Sequence, residues 1–225
     1  MLENNEQDIL GLDDVEAFNT PIDDIETESV CLMVILIDIS SSMTPYMSIM
    51  KDSLESFKQA ILDSKEADEI LVARGNFGDT VSISGYKNIK EFDTSYNLET
   101  MTSLYDMVAL ANQRLVEYMD LLKNEGVRTK AVFAMFSDGE DTNSKTNVSD
   151  ARSIIQDLNQ KEITTAFVSF GWFGGADRTA QQLGFKNILK TGSSASELRK
   201  AFNCLSKSVI ESSKSVAPDD DKFFI

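Results

Sequence analysis

Residues 30–37 read VCLMVILI, eight apolar residues in a row, and Asp38 breaks the run at once. A strand with one wet face alternates apolar and polar residues. A short unbroken run instead suits a strand covered on both faces, as in a parallel sheet flanked by helices. The chain repeats this device: residues 129–136 (TKAVFAMF) form a second run closed by an acid, Asp138, and residues 163–170 form a third. Between the runs, apolar residues fall three and four apart. One set is Met47, Met50, Leu54, Phe57 and Ile61, and a second is Leu104, Val108, Ala111, Leu115 and Leu122. Two more are Val148, Ala151, Ile155 and Leu158, then Leu198, Phe202, Leu205 and Val209. That spacing predicts helices that each bury one stripe.

Residues 70–77 and 80–84, divided by Gly78-Asp79, predict a hairpin that adds one antiparallel edge strand. A short helix over 177–183 and a short strand over 187–190 complete the series. The expected order is β-α-β-β-α-β-α-β-α-β-α. This predicts an α/β fold: a doubly wound, mostly parallel six-stranded sheet with one antiparallel edge strand and helices on both faces.

The formal charge of −16 is unevenly placed. Ten of the 37 acidic residues precede residue 29, where there is no Lys or Arg, leaving 27 against 21 basic residues in the remainder. Residues 1–28 mix these acids with isolated apolar residues, a composition that buries little, and predict a flexible acidic tail or a short docking motif. The expected domain spans 29–214, followed by an acidic and aromatic tail over 215–225 that ends in DDDKFFI. Its terminal aromatics either pack on the body or serve a partner. An acidic chain offers no basic face to a phosphate backbone or an anionic bilayer, so neither nucleic acid nor membrane is an expected partner. No stretch reaches the roughly 18 to 20 apolar residues of a membrane span. The N-terminus lacks the pattern of a secretory leader. Two cysteines, Cys31 and Cys204, lie far apart, and the expectation is a cytoplasmic protein.

The chain has no histidine. This removes Ser-His-Asp and Cys-His nucleophiles, imidazole bases and His-containing zinc sites, so enzyme activity is not expected.

The chemistry that is left is hard oxygen. In Asp38-Ile39-Ser40-Ser41-Ser42, positions i, i+2 and i+4 of a turning backbone can converge, and such donors suit Mg²⁺ first, then Mn²⁺ or Ca²⁺. In a doubly wound sheet, the strands ending at Asp38 and Asp138 would be neighbours where strand order reverses, the usual place for a ligand. Thr102, just ahead of its helix, can reach the same crevice. Each segment alone also reads as an ordinary helix cap or Asp-Gly turn.

Three segments in order carry a resemblance: Asp38-x-Ser40-x-Ser42, Thr102-Ser103-Leu104 opening a helix, and Phe136-Ser137-Asp138-Gly139 closing a strand. Together they resemble the metal-ion-dependent adhesion site (MIDAS) of von Willebrand factor A (VWA) or integrin I domains, over about residues 30–214. Ser41 stands where many family loops have Gly. The resemblance implies a Rossmann-like VWA fold and a metal held by Ser40 and Ser42 directly, with Thr102, Asp38 and Asp138 bound directly or through water. It implies one open coordination position that takes an Asp or Glu from a protein partner, hence a divalent-cation-dependent interaction module. The alternatives are a Mg²⁺-dependent hydrolase or phosphotransferase, and a metal-independent scaffold. The stand-alone size resembles intracellular bacterial or phage VWA proteins, which implies a MoxR-type AAA+ ATPase as a partner; separately, both tails carry carboxylates, so a tail could enter the metal site and drive self-association. Glu140 and Asp141 are expected as a solvated acidic loop, and residues 171–175 (GWFGG) as a flexible turn with Trp172 and Phe173 at the rim or buried.

Overall fold

The computed structural model describes residues 15, 17–66, 69–170, 175–192, 194–214 and 223–224. The first apolar run becomes strand β1 (Ser29–Asp38), buried from Val30 to its end. It pairs in parallel with β2 (Ile70–Phe77), Cys31 opposite Ile70, and with β5 (Arg128–Ser137), Leu32 opposite Ala131. β5 continues in parallel to β6 (Thr164–Phe170) and β6 to β7 (Asn187–Thr191). On the other side, β3 (Val81–Ile83) runs antiparallel to β2, the predicted hairpin. The order is β3-β2-β1-β5-β6-β7. A two-residue strand, β4 (Lys87–Asn88), shares the outer edge of β2 with β3 and makes the sheet seven-stranded. Two residues are too few to show a period, so six strands were expected.

Because side chains alternate along a strand, β1 feeds two cores. Val30, Leu32, Val34 and Leu36 meet helices α2 (Leu104–Asn124), α3 (Val148–Gln160) and α4 (Gly175–Leu183). Cys31, Met33, Ile35 and Ile37 meet α1 (Met47–Leu62) and α5 (Ala195–Lys214). The predicted stripes are buried with two exceptions: Val148 is half-buried and Met47 is exposed. Met47 is the first residue of α1, directly after the 3₁₀ turn Ser41–Tyr46, and the stripe on the core begins at Met50.

Of the two readings of the N-terminal segment, a flexible tail and a docking motif, the described residues fit the second, with the body itself as the dock. From residue 15 on, the segment's described part is docked. Val15 is buried, Asn19 accepts from Tyr86 N at 2.8 Å and Thr20 N donates to the Tyr86 carbonyl at 2.9 Å. Tyr118 OH donates to the Thr20 carbonyl at 2.7 Å. Gly85 permits this approach, since a Cβ there would overlap the Phe18 carbonyl. Isolated apolar residues can thus be buried one by one against a surface that already exists, which composition does not reveal. Residues 1–14 lie outside the described residues. Of the C-terminal segment, Phe223 is buried in the α1/α5 core, and its N–H donates to Asn187 Oδ1 at 3.4 Å. One of the terminal aromatics therefore packs on the body.

Candidate metal centre

Strand order reverses between β1 and β5, and their carboxyl ends carry Asp38 and Asp138. Asp38 is fully buried and fastened: Ser40 N donates to Oδ1 at 2.9 Å, Ser137 Oγ to Oδ2 at 2.6 Å, and Tyr96 OH to its carbonyl at 2.6 Å. Ser137 itself accepts from Gly139 N at 2.9 Å, so one hydroxyl joins the ends of two strands. Burial pushes the Asp38 carboxyl up from 3.8 to about 6, against the pull of Ser137 and Ser40, and the Asp138 charge pushes it the same way. An ionised carboxylate so placed calls for a cation.

Ser40 is buried, Ser42 exposed, and their hydroxyls share a hydrogen bond at 2.9 Å. Two adjacent ligands of an octahedral Mg²⁺, each at about 2.1 Å, lie about 3.0 Å apart. The two oxygens therefore already stand at that spacing. Ser41 does not need the backbone freedom of Gly: Glu162 is the one non-glycine at positive φ among the described residues. The Ser41 hydroxyl donates to the Thr100 carbonyl at 2.9 Å, reinforcing the longer backbone bond from Ser41 N to the same carbonyl at 3.5 Å and tying the first loop to the second.

Thr102 is buried two residues beyond that tie. Its carbonyl accepts from Thr142 N at 2.9 Å and Asn143 N at 3.0 Å, and its N–H donates to Thr142 Oγ1 at 3.0 Å. Asn143 Nδ2 reaches Ser103 Oγ at 3.0 Å and the Asp79 carbonyl at 2.9 Å. All three loops are thereby locked together. Asp138 is half-buried and its Oδ1 accepts a long bond from Glu140 N, 3.3 Å. Gly139, at φ +86°, lies so close under α4 that a Cβ would come within 2.3 Å of Ala176 Cα. The structure brings all five expected residues to one end of the sheet. Among the described residues no group of three or more His, Cys, Asp or Glu is placed to hold a metal ion, and the five candidate residues offer two carboxylates and three hydroxyls.

One expectation needs correction. Asp141 is not simply solvated: its Oδ1 accepts from Leu104 N at 2.8 Å and Tyr105 N at 3.3 Å, capping α2 from another loop. No residue near Leu104 in sequence could announce this, because the cap arrives from 37 residues away. Glu140 is exposed. Ser137, Tyr96 and Asn143 are positioning residues that sequence reasoning missed. Only Ser137 left a signal, a hydroxyl beside Asp138 at the end of an apolar run. Of residues 171–175, all but Gly175 lie outside the described residues, and Gly175 opens α4.

No family model and no curated protein matches the sequence. Solved structures do match. The pilus adhesin SpaC from Lactobacillus rhamnosus GG superposes with TM-score 0.64 at 10% identity, over 82% of this chain and 30% of that one. The SpRpn10 VWA domain matches with TM-score 0.55 at 10% identity, over 77% of this chain and 94% of that domain. The fold is that of a von Willebrand factor A domain. Proximal thread matrix protein 1 from the mussel byssus shares this VWA fold, with TM-score 0.59 at 16% identity over 81% of this chain and 46% of that one. A further structure of the mussel protein, TM-score 0.53, holds zinc in its MIDAS motif. The chain thus spans less than half of the adhesin and of the mussel protein, whose VWA regions are parts of longer molecules.

Proposed function

We propose that the chain is a divalent-cation-dependent protein-protein interaction module. Asp38, Ser40, Ser42, Thr102 and Asp138 hold the ion, and an Asp or Glu side chain from a partner completes its coordination. The observation that carries this reading is the buried Asp38 carboxylate, fixed beside two hydroxyls 2.9 Å apart at the point where strand order reverses. Hard carboxylate and hydroxyl oxygens suit Mg²⁺ first, then Mn²⁺ or Ca²⁺. Zinc in the MIDAS motif of the mussel protein supports a divalent ion in this fold. Two carboxylates balance a doubly charged ion, and the hydroxyls add no charge, so the ion still attracts an incoming anion.

No activity is assigned to the site: a chain without histidine supplies no imidazole base. Cys31 is buried, with its thiol pushed up to about 12 by burial, and a cytoplasmic setting is part of this proposal. No helix among the described residues is long and apolar enough to cross a membrane. An AAA+ ATPase of the MoxR type is one partner class to seek. The test is a pull-down with wild-type protein and Asp38→Ala, in Mg²⁺ and in EDTA. A partner retained only by wild type in Mg²⁺ is the expected result. Equal retention in all four arms overturns the reading.

A further inference from the structure

Two large hydrophobic residues are exposed among the described residues, Met47 at 43% and Met101 at 40%. Met101 lies in the second ligand-bearing loop, and Met47 opens α1 directly after the first. Met47 follows the turn Ser41–Tyr46, five residues and about 10 Å of 3₁₀ rise beyond Ser42. Met101 directly precedes Thr102, its N–H donates to Asp79 Oδ1 at 2.7 Å, and its neighbour Thr100 accepts the Ser41 hydroxyl.

Charge is distributed as unevenly as the methionines. Residues 40–50 (SSSMTPYMSIM) contain no charged side chain. Residues 94–103 contain one, Glu99, whose Oε2 accepts from Asp79 N at 2.6 Å and Thr80 N at 3.3 Å. The third loop bears the exposed acid Glu140, while Asp141 is turned onto the start of α2. Around the candidate ligands, the first loop is thus uncharged and leads into Met47, the second holds Met101 and one acid tied to backbone N–H groups, and the third carries Asp138, Glu140 and Asp141 against one cation, Lys145.

We propose that this face selects a protein segment in which a single carboxylate sits beside an apolar side chain, with a basic residue on its other side, and discriminates against acidic tracts. The inference rests on the metal reading and names the partner chemistry. Methionine is flexible and polarisable and adapts to a range of apolar shapes, so Met47 and Met101 form a tolerant apolar rim. A run of acids could give one carboxylate to the ion, but its remaining charges would face Glu140 and Asp138, with no Lys or Arg on the first two loops and Lys145 alone on the third to receive them.

The experiment uses the full chain with ¹³C-methyl methionine, titrated in Mg²⁺ with two synthetic peptides of equal length. One has a single glutamate between leucine and lysine, and the other has the same glutamate flanked by aspartates. Met47→Leu and Met101→Leu assign the two reporter signals. The leucine-glutamate-lysine peptide is expected to shift both methyl signals and to bind at least about tenfold tighter, with Glu140→Lys narrowing the gap. Equal or tighter binding of the aspartate-flanked peptide overturns the inference. So do binding that leaves both methyls unmoved and failure of both peptides to bind a protein that calorimetry shows to hold Mg²⁺. Absence of calorimetric Mg²⁺ binding, or peptide binding unaffected by EDTA, overturns the metal reading beneath it.

Discussion

Replacing Asp38 with asparagine should make the metal-free protein more stable while ending its response to metal. The Asp38 carboxyl is raised from 3.8 to about 6, mainly by burial. A raised carboxyl means that the native state holds the proton more tightly than the unfolded chain. Stability therefore falls as pH rises between these values, and above about 6 the full penalty is present. A rise of this size corresponds to about 3 kcal/mol. Asparagine removes the charge and keeps the shape. Its carbonyl can accept from Ser40 N, and its amide can donate to Ser137 Oγ in place of the present bond from that hydroxyl. Ser137 already accepts from Gly139 N, so its own proton loses its acceptor, at about 1 kcal/mol. The net gain is about 2 kcal/mol, or roughly 5 °C in melting temperature for a chain of this size. Thermal melts at neutral pH, in EDTA and in Mg²⁺, measure both effects. Wild type should melt higher in Mg²⁺, by about 2.7 kcal/mol of stabilisation at a hundredfold excess over Kd, and Asp38→Asn should not respond. An Asp38→Asn protein less stable than wild type in EDTA refutes the charge argument. One that still gains from Mg²⁺ refutes the assignment of Asp38 as a ligand.

The same titration sets the pH dependence of metal affinity. Below about 6, the ion must displace the proton from Asp38, so calorimetric Mg²⁺ or Mn²⁺ affinity should drop by about tenfold per pH unit and stay level above neutrality. Gly139→Ala places a methyl group 2.3 Å from Ala176 Cα at a left-handed backbone position and should cost about 3 kcal/mol in denaturant unfolding while weakening metal binding by displacing Asp138. Tyr118→Phe removes the bond to the Thr20 carbonyl. It should cost about 1 kcal/mol and speed limited proteolysis within residues 17–28, without altering metal affinity.

The fold was legible because each unbroken apolar run must be covered on both faces and each helical stripe on one. Period alone therefore separated strands from helices, down to the hairpin at Gly78-Asp79. The candidate ligands were legible for a related reason: polar residues at the ends of the runs at Asp38 and Asp138 cannot serve the core and must answer to something at the edge of the sheet. Beyond that, local pattern is silent. It could not show that Ser137 steadies Asp38 from the neighbouring strand, 99 residues away. Nor could it show that Asp141 caps a distant helix, or that Val15 and Asn19 dock an acidic segment against Tyr86. Met47 is the sharpest case. Its spacing from Met50 and Leu54 placed it on the buried stripe. The preceding 3₁₀ turn instead starts the helix at this residue and leaves the side chain exposed. The sequence by itself determined which segments are strands and helices and which oxygens stand at their ends, because periodicity and side-chain chemistry are local properties. Only the tertiary structure decided which of those oxygens are held, which acids are spent on backbone caps, and which apolar residues are left facing outward.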